Sequence, residues 1–280
     1  MRDLSDDRRW LAVNTATVRA WSLEQVIEGC TRSGISAIAP WRHIIQQCGL
    51  ARAARLIRDA GFTITCLCRG GTFTAADEAG RRAALDDNRR AIDEAAAIGA
   101  GSLILVAGGL PAGSKDLAGA HAQVRDGIAG LLPHARAAGV PLAIEPLHPM
   151  QAADRACINT LEQALDICDA LDASRSGALG VALDVYHTWW DPKLAAQIAR
   201  AGRERLFAYH VCDWLVPTRD LVNDRGMMGD GVIELKRIRS LLEQAGYAGF
   251  VEVEIFSQAW WARPADELLD TCVERYKGVA

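Results

Sequence analysis

The chain has 280 residues, of which 50% are hydrophobic and 24% are charged, and its mean hydropathy is +0.03. This balance is typical of a globular protein with a large core and argues against a disordered or fibrous chain. The formal net charge is -4 and no basic run occurs, which disfavours a nucleic-acid partner. No signal-peptide core or stretch of ~18 apolar residues is present, so we expect a cytoplasmic protein without a membrane partner.

Eight cysteines are scattered through the predicted strands and helices. Cys66 and Cys68 are separated by one residue, a spacing typical of neither a zinc finger nor a thioredoxin motif. We therefore interpret the cysteines as free, mostly buried thiols in a reducing compartment.

Apolar strand-like runs alternate with helical patterns along the whole chain. In order, the strand-like runs lie at residues 10–13, 35–39, 63–68, 102–107, 142–146, 180–186, 206–211 and 250–256. Segments with helical periodicity lie at residues 23–30, 49–60, 76–98, 117–138, 161–171, 194–201, 233–245 and 264–276. Several of these helices end at a glycine shortly before the next strand, as is typical of αβ loops.

The alternation of eight strands with eight helices predicts an α/β fold with a parallel sheet. At this length the sheet is expected to close into a single (β/α)8 TIM barrel that spans residues 1–280. An open doubly wound sheet is the alternative, but no Gly-x-Gly-x-x-Gly pattern follows the first strand. Because barrel enzymes carry their catalytic residues at the C-terminal ends of the strands, the polar residues there are the candidates for a site.

Four of the predicted strands end on a side chain that can bind a metal ion. Glu145 ends the fifth strand, and Asp184 ends the apolar part of the sixth. His210 and Glu254 end the seventh and eighth strands, so all four would converge on one side of the barrel mouth. Three carboxylates and one imidazole favour one hard divalent ion with open positions for substrate oxygens. Mn²⁺ is the favoured ion, with Mg²⁺, Co²⁺ and Zn²⁺ as alternatives.

The ends of the last four strands carry, in order, Glu, Asp-x-x-His, His and Glu, and a Gly-Asp-Gly sequence stands at residues 229–231. This order resembles the xylose-isomerase-like barrel superfamily, which contains sugar isomerases, epimerases and inosose dehydratases. The resemblance covers essentially the whole chain. Its most specific parts are residues 183–187 (LDVYH), 210–214 (HVCDW) and 249–254 (GFVEVE).

The resemblance implies that the four strand-end residues are ligands of one divalent ion. It also implies that Glu145 and Glu254 flank a substrate carbon as an acid/base pair, and that His187 and Arg225 bind substrate oxygens. The chemistry is consistent, because a divalent ion on a ketone and its neighbouring hydroxyl acidifies the C–H bond that a carboxylate can deprotonate. The first hypothesis is therefore a metal-dependent isomerase or epimerase that acts on a keto-sugar or keto-polyol through an enediolate.

Two other functions remain open. His148, on the loop after the fifth strand, is either a surface residue or an additional base. As a base it would suit a lyase, either a dehydratase or an enzyme that eliminates from a 3-keto-glycoside, as in the superfamily branch that acts on oxidised C-glycosides. The third hypothesis is a non-catalytic sugar-binding barrel, which is disfavoured because binding alone does not need buried carboxylates. In each case the partner is a small carbohydrate.

Tryptophans are concentrated after the last three strands. Five of the eight follow these strands, namely Trp189, Trp190, Trp214, Trp260 and Trp261. They suggest an aromatic platform over the site, with Trp189 and Trp214 as substrate-binding residues. A subunit interface of a homo-oligomer is the alternative interpretation.

Two segments beside the predicted ligands refine the hypothesis. Glu252 is two residues before Glu254 on the same strand, so both side chains point into the barrel. We expect Glu252 to lie deeper and to be hydrogen-bonded behind the ligands rather than to be a fifth ligand. Residues 225–231 stand where barrels often bind phosphate, but they contain no lysine and carry Asp230, which favours a non-phosphorylated substrate.

Overall fold

The computed structural model describes residues 2–5 and 7–278 of the chain. Its parallel strands form one barrel sheet, and two further short strands pair antiparallel in a loop. In chain order the strands are β1 (Leu11–Asn14), β2 (Ala37–Ala39), β3 (Thr63–Ile64), β4 (Leu67–Gly71), β5 (Leu103–Val106), β6 (Leu142–Ile144), β7 (Leu179–Asp184), β8 (Leu206–Val211), β9 (Asp213–Trp214), β10 (Arg225–Gly226) and β11 (Val251–Val253).

Helices follow the barrel strands, and all eight predicted helices are present. In chain order they are α1 (Leu23–Arg32), α2 (Arg42–Cys48), α3 (Leu50–Asp59), α4 (Glu78–Ala97), α5 (Leu117–Ala138), α6 (Leu161–Leu171), α7 (Val185–Thr188), α8 (Leu194–Arg205), α9 (Leu235–Gln244), α10 (Gln258–Trp261) and α11 (Ala265–Gly278), with a 3-10 turn at Pro149–Gln151. Three of them, α2, α7 and α10, were not predicted. The glycines expected to end helices have φ between 68° and 93°, which confirms those termini: Gly34, Gly61, Gly99, Gly139 and Gly246.

The barrel is nearly closed, and the third predicted strand is where it is irregular. The sheet runs in the order β3-β2-β1-β11-β8-β7-β6-β5-β4. The predicted third strand is divided in two: β3 pairs with β2, and β4 pairs with β5. Across this gap the Cys68 N–H donates to the Pro40 carbonyl at 2.9 Å, and Trp41 forms an isolated bridge with Cys68. The predicted TIM barrel is thus confirmed.

A small group of side chains lies inside the barrel, separate from the large core between strands and helices. Its members are Ala39, Cys66, Cys68, Ile104, Ala143, Ala182 and Ala208. Because most of these residues are small, the barrel interior has room for two buried polar side chains, Asn14 and Glu252.

Two further expectations concern the whole chain. All eight cysteines are free thiols, as predicted. Among the described residues, no helix is long and apolar enough to cross a membrane.

Candidate metal centre

The four predicted metal ligands lie together at the barrel mouth. Glu145 directly follows β6, Asp184 ends β7, His210 lies in β8 and Glu254 directly follows β11. One ligand-type atom from each lies within 4.8 Å of the others. All four residues are buried, and none is more than 6% exposed. The structure therefore brings together the side chains that the strand-end pattern predicts.

His210 is held between ligand-type residues above it and Glu252 below it. Its Nδ1 lies 2.9 Å from Glu145 Oε1 and 3.9 Å from Glu254 Oε2, and its Nε2 lies 3.4 Å from Glu252 Oε1. Burial lowers the pKa of His210, but Glu252 and Glu145 outweigh burial and raise that pKa well above its ordinary value. If a metal ion replaced the proton on Nδ1, the remaining proton would reside on Nε2 and face Glu252.

Glu252 lies deeper in the barrel, as expected. Its Oε1 accepts a hydrogen bond from Asn14 Nδ2 at 3.0 Å, and its Oε2 accepts one from Thr65 Oγ1 at 2.7 Å. The thiol of Cys66 donates to Oε2 at 3.5 Å. These contacts occupy both carboxylate oxygens and fix the side chain beneath His210.

The turn after β7 places His187 beside the ligands. The Asp184 carboxylate accepts a hydrogen bond from the Tyr186 N–H at 2.7 Å and caps α7. The predicted sixth strand, 180–186, is therefore wrong at its end, because the chain becomes helical at Val185. As a result His187 lies one helical turn beyond Asp184, with 3.7 Å between its Nε2 and Asp184 Oδ2.

His187 is a buried, neutral imidazole whose two ring nitrogens both have polar neighbours. The backbone N–H of His148 donates to His187 Nδ1 at 3.1 Å, so Nδ1 is an acceptor. Burial lowers the pKa of His187 to about 3, which keeps the imidazole neutral. The other ring nitrogen, Nε2, lies 3.1 Å from Arg225 Nη2 and 3.7 Å from Asp184 Oδ2, so it faces both a donor and a carboxylate.

Arg225 contacts the candidate ligands directly. Its Nη1 donates to Asp184 Oδ2 at 2.8 Å and to Glu254 Oε2 at 3.1 Å. The guanidinium also lies over the rings of Tyr186 and Phe256, at 4.6 and 5.0 Å from their centroids. The resemblance predicts that Arg225 binds substrate oxygens; the structure places it where it holds two carboxylates.

Asp213 holds the loop that carries Arg225. Its Oδ1 accepts from the Ile233 N–H at 3.0 Å, and its Oδ2 accepts from the Gly229 N–H at 2.9 Å. Gly231 packs so tightly here that a Cβ would lie 2.2 Å from the Trp214 carbonyl oxygen. The Gly-Asp-Gly sequence thus serves the close packing of this loop.

The buried carboxylates at the mouth crowd one another. Burial raises the pKa of Glu254 to about 8; Arg225 and His210 oppose this rise, whereas Glu145 and Asp184 add to it. A divalent cation would stabilise the ionised form of these carboxylates. The donor set, three carboxylates and one imidazole, fits such an ion.

A small cavity opens above the four ligand-type residues. The predicted acid/base pair, Glu145 and Glu254, lines this cavity. His187 and Arg225, two of the predicted substrate-binding residues, line it as well. Residues that were not predicted also line it, among them Trp41, Arg69, Arg155 and Phe256. A wider cleft of about 670 Å³ adjoins it and shares Trp41, Cys68 and Arg69 with it.

The tryptophans do not form the single platform expected from the sequence. The Trp214 ring packs 5.8 Å from that of Trp189, and neither lines the small cavity. The His148 ring stacks on Trp214, with 4.9 Å between centroids, and is likewise absent from the cavity wall. Trp261 packs elsewhere and donates from Nε1 to the Ala16 carbonyl at 2.8 Å. These aromatic rings therefore pack on one another and on loop backbone rather than on the cavity.

Residues 27–274 match the family described as xylose isomerase-like TIM barrel. The chain belongs to this family. A solved structure of similar sequence, protein SMc04130 from Sinorhizobium meliloti 1021, is 58% identical over 98% of this chain and 99% of that chain, with a TM-score of 0.95. The IOLI protein, whose structure contains a bound zinc atom, is 21% identical over 95% of both chains, with a TM-score of 0.79, and shows the shared fold.

Curated relatives of the chain include an inosose isomerase of Halalkalibacterium halodurans. It is 29% identical over 136 residues, which is 48% of this chain and 45% of that protein. The matched region therefore covers less than half the length of this relative.

Three cavity residues of this xylose isomerase-like barrel differ in how visible they are in the sequence. Trp41 comes two residues after β2, and Arg69 directly follows the predicted third strand, although it lies within β4. A search that included the first residues after each predicted strand would have found both. Arg155 lies in the loop between the 3-10 turn and α6. No periodicity marks such a residue, because only the path of the loop brings it to the mouth.

Proposed function

We propose that the chain is a divalent-metal-dependent sugar isomerase or epimerase that moves a proton next to the carbonyl of a keto-sugar or keto-polyol. The observation that carries this proposal is the convergence of four buried ligand-type side chains within 4.8 Å at the barrel mouth. The similarity to an inosose isomerase supports the same class of substrate.

Glu145, Asp184, His210 and Glu254 would hold the ion. Mn²⁺ is the favoured ion, with Mg²⁺, Co²⁺ and Zn²⁺ as alternatives, and the zinc atom of the IOLI protein supports divalent-ion binding by a barrel of this fold. When bound, such an ion supplies Lewis-acid polarisation, which acidifies a C–H bond next to a carbonyl.

Glu145 and Glu254 would move the proton. They line the same cavity from β6 and β11, which are separated in the sheet by β7 and β8. Two carboxylates that approach from different strands can act on different sides of a substrate carbon, one as base and the other as acid. Two carboxylates on different sides of the carbon suit epimerisation. Isomerisation needs only one of them, because a single carboxylate can carry the proton from one carbon to its neighbour.

His187 and Arg225 would orient the substrate. The imidazole of His187 lies at the cavity wall, from where a ring N–H would donate to a substrate oxygen. Such a donor stabilises negative charge that develops in the transition state, by about 3 kcal/mol in comparable sites. Arg225 keeps Asp184 and Glu254 in place and presents the rest of its guanidinium to the cavity.

The lyase alternative depends on His148 as an additional base. Because its ring stacks on Trp214 and does not line the cavity, no contact in the structure favours that role.

The proposed function is tested by proton exchange in D₂O. The protein is loaded with Mn²⁺ and incubated with a panel of ketohexoses, their uronates and inososes, and the C–H next to the carbonyl is followed by NMR. We expect deuterium incorporation with at least one compound, and its loss in Glu145→Gln and Glu254→Gln. Stoichiometric Mn²⁺ binding without exchange in any compound would contradict the proposed chemistry.

A further inference from the structure

Two arginines at the cavity have no hydrogen-bond or ion-pair partner in the part of the chain that the structure describes. Arg69 lies in β4 and Arg155 on the loop before α6, and both line the cavity together with Glu145 and Glu254. Within residues 2–5 and 7–278, neither guanidinium forms a hydrogen bond or an ion pair. Arg225, in the same cavity, contrasts with them because it donates to two carboxylates.

Arg69 and Arg155 are half-buried, and the guanidinium of Arg155 lies in the field of two other guanidiniums. Burial lowers the pKa of Arg155, and the neighbouring guanidiniums of Arg69 and Arg225 lower it further. Glu145 and Glu254 oppose this effect, but among the described residues neither forms a hydrogen bond or an ion pair with Arg155. Neutral sugar hydroxyls would accept hydrogen bonds here, but they would leave the repulsion between the guanidiniums in place.

A count of charges indicates what the cavity can accept. The carboxylates at and beneath the site are Glu145, Asp184, Glu252 and Glu254, and the guanidiniums are Arg69, Arg155 and Arg225. Counted as carboxylates and guanidiniums alone, with one divalent ion bound, these groups leave a single net positive charge. A substrate with one negative charge would neutralise it.

We propose that the substrate is a carboxylate, such as a keto-sugar acid, whose carboxylate group binds between Arg69 and Arg155 while its keto-polyol part faces Glu145 and Glu254. This inference rests on the proposed function and specifies its substrate class. Guanidinium groups bind carboxylates through paired, charge-assisted hydrogen bonds, which suits a two-arginine site. A phosphate dianion would exceed the single positive charge.

The test compares three ligands that share one ketohexose skeleton: D-fructose, D-fructuronate and D-fructose 6-phosphate. Their dissociation constants are measured by calorimetry on Mn²⁺-loaded protein. We expect fructuronate to bind more tightly than fructose by roughly tenfold or more, the effect of charge-assisted hydrogen bonds. In the double variant Arg69→Gln/Arg155→Gln this ratio should fall to within about threefold.

A matched double variant controls for the loss of two positive charges. Arg55 and Arg58 are exposed on α3, so Arg55→Gln/Arg58→Gln should keep the wild-type ratio. Equal affinity for fructose and fructuronate, no binding of any of the three, or a preference that survives in Arg69→Gln/Arg155→Gln would overturn the inference. Tighter binding of the phosphate, lost in the same variant, would replace the carboxylate by a phosphate.

Failure of the proposed function gives a different result. It would appear as absent Mn²⁺ binding, or as absent deuterium exchange with every compound of the panel. If Mn²⁺ binds and a neutral ketose exchanges its proton, but fructuronate has no advantage, only the carboxylate assignment fails.

Discussion

The barrel buries charge at both ends, and the two clusters differ in how the protein neutralises them. At the N-terminal ends of the strands, Arg205 Nη1 donates to Asp172 Oδ2 at 2.8 Å and to the Leu179 carbonyl at 2.6 Å. Asp172 also accepts from Ser176 Oγ at 2.7 Å and from Arg136 Nη2 at 3.1 Å. This cluster is closed, because a buried cation and a buried anion neutralise each other within the chain.

The cluster at the mouth is open. Glu145, Asp184 and Glu254 surround His210, and the pKa of Glu254 rises to about 8 because burial and the neighbouring carboxylates outweigh Arg225. Beside them, Arg69 and Arg155 have no partner among the residues the structure describes. The comparison indicates that the closed cluster stabilises the fold. The charges of the open cluster would instead be compensated by a bound metal ion and substrate.

Substitution of the open cluster should have the largest effect, and on activity rather than stability. We expect Glu145→Gln and Glu254→Gln to lower kcat/KM by roughly a thousandfold or more, because each removes a proton carrier. The melting temperature of the metal-free protein should not fall, since Glu145→Gln removes one of several crowded charges and Glu254→Gln replaces a carboxyl group that burial keeps largely protonated. Steady-state kinetics and thermal unfolding check both statements, and a fall in melting temperature with activity retained would reverse the assignment of the two clusters.

Substitution of the closed cluster should have the opposite effect. Asp172→Ala leaves Arg205 buried without its carboxylate, so we expect the free energy of unfolding to drop by about 3 kcal/mol, with Mn²⁺ stoichiometry unchanged. Asp166→Ala is the control, because Asp166 pairs with Arg200 at the surface and its loss should cost about 1 kcal/mol or less. Urea unfolding measures both. Equal values for the two variants would show that burial of the Arg205 pair contributes little.

His187 belongs to the mouth but should act on substrate rather than on the metal. We expect His187→Ala to retain its metal content and to lower kcat/KM by about a hundredfold, the effect of removing one donor to a developing charge. Asp184→Ala serves as the comparison and should lose the metal. If both variants lose metal equally, His187 is a ligand and the four-residue site has to be revised.

Glu252 should affect the metal through His210. Glu252→Gln keeps the shape of the side chain but removes the charge that faces His210 Nε2, so we expect Mn²⁺ affinity to fall by about tenfold. Glu274→Gln, on the exposed surface of α11, should leave it unchanged. Calorimetric titration distinguishes this outcome from loss of the site, and an unaltered affinity in Glu252→Gln would mean that His210 is oriented without it.

The sequence was most informative where regular structure places the residue. Asp184 and His210 are paired in register on β7 and β8, so the ends of two apolar strands sufficed to bring them together. Arg155 and Asp213 could not be assigned roles in this way, because loop paths decide their contacts. Helix α2 was missed because it spans seven residues and its N-cap, Trp41, makes no side-chain cap.

The central claim, that the open cluster is a metal site, is tested most directly by calorimetric titration of the chelator-treated protein with MnCl₂. We predict one Mn²⁺ per chain, with affinity reduced by roughly a hundredfold or more in Glu145→Gln and in His210→Ala. No saturable binding in the wild-type protein, or the same affinity in both variants, would contradict the account.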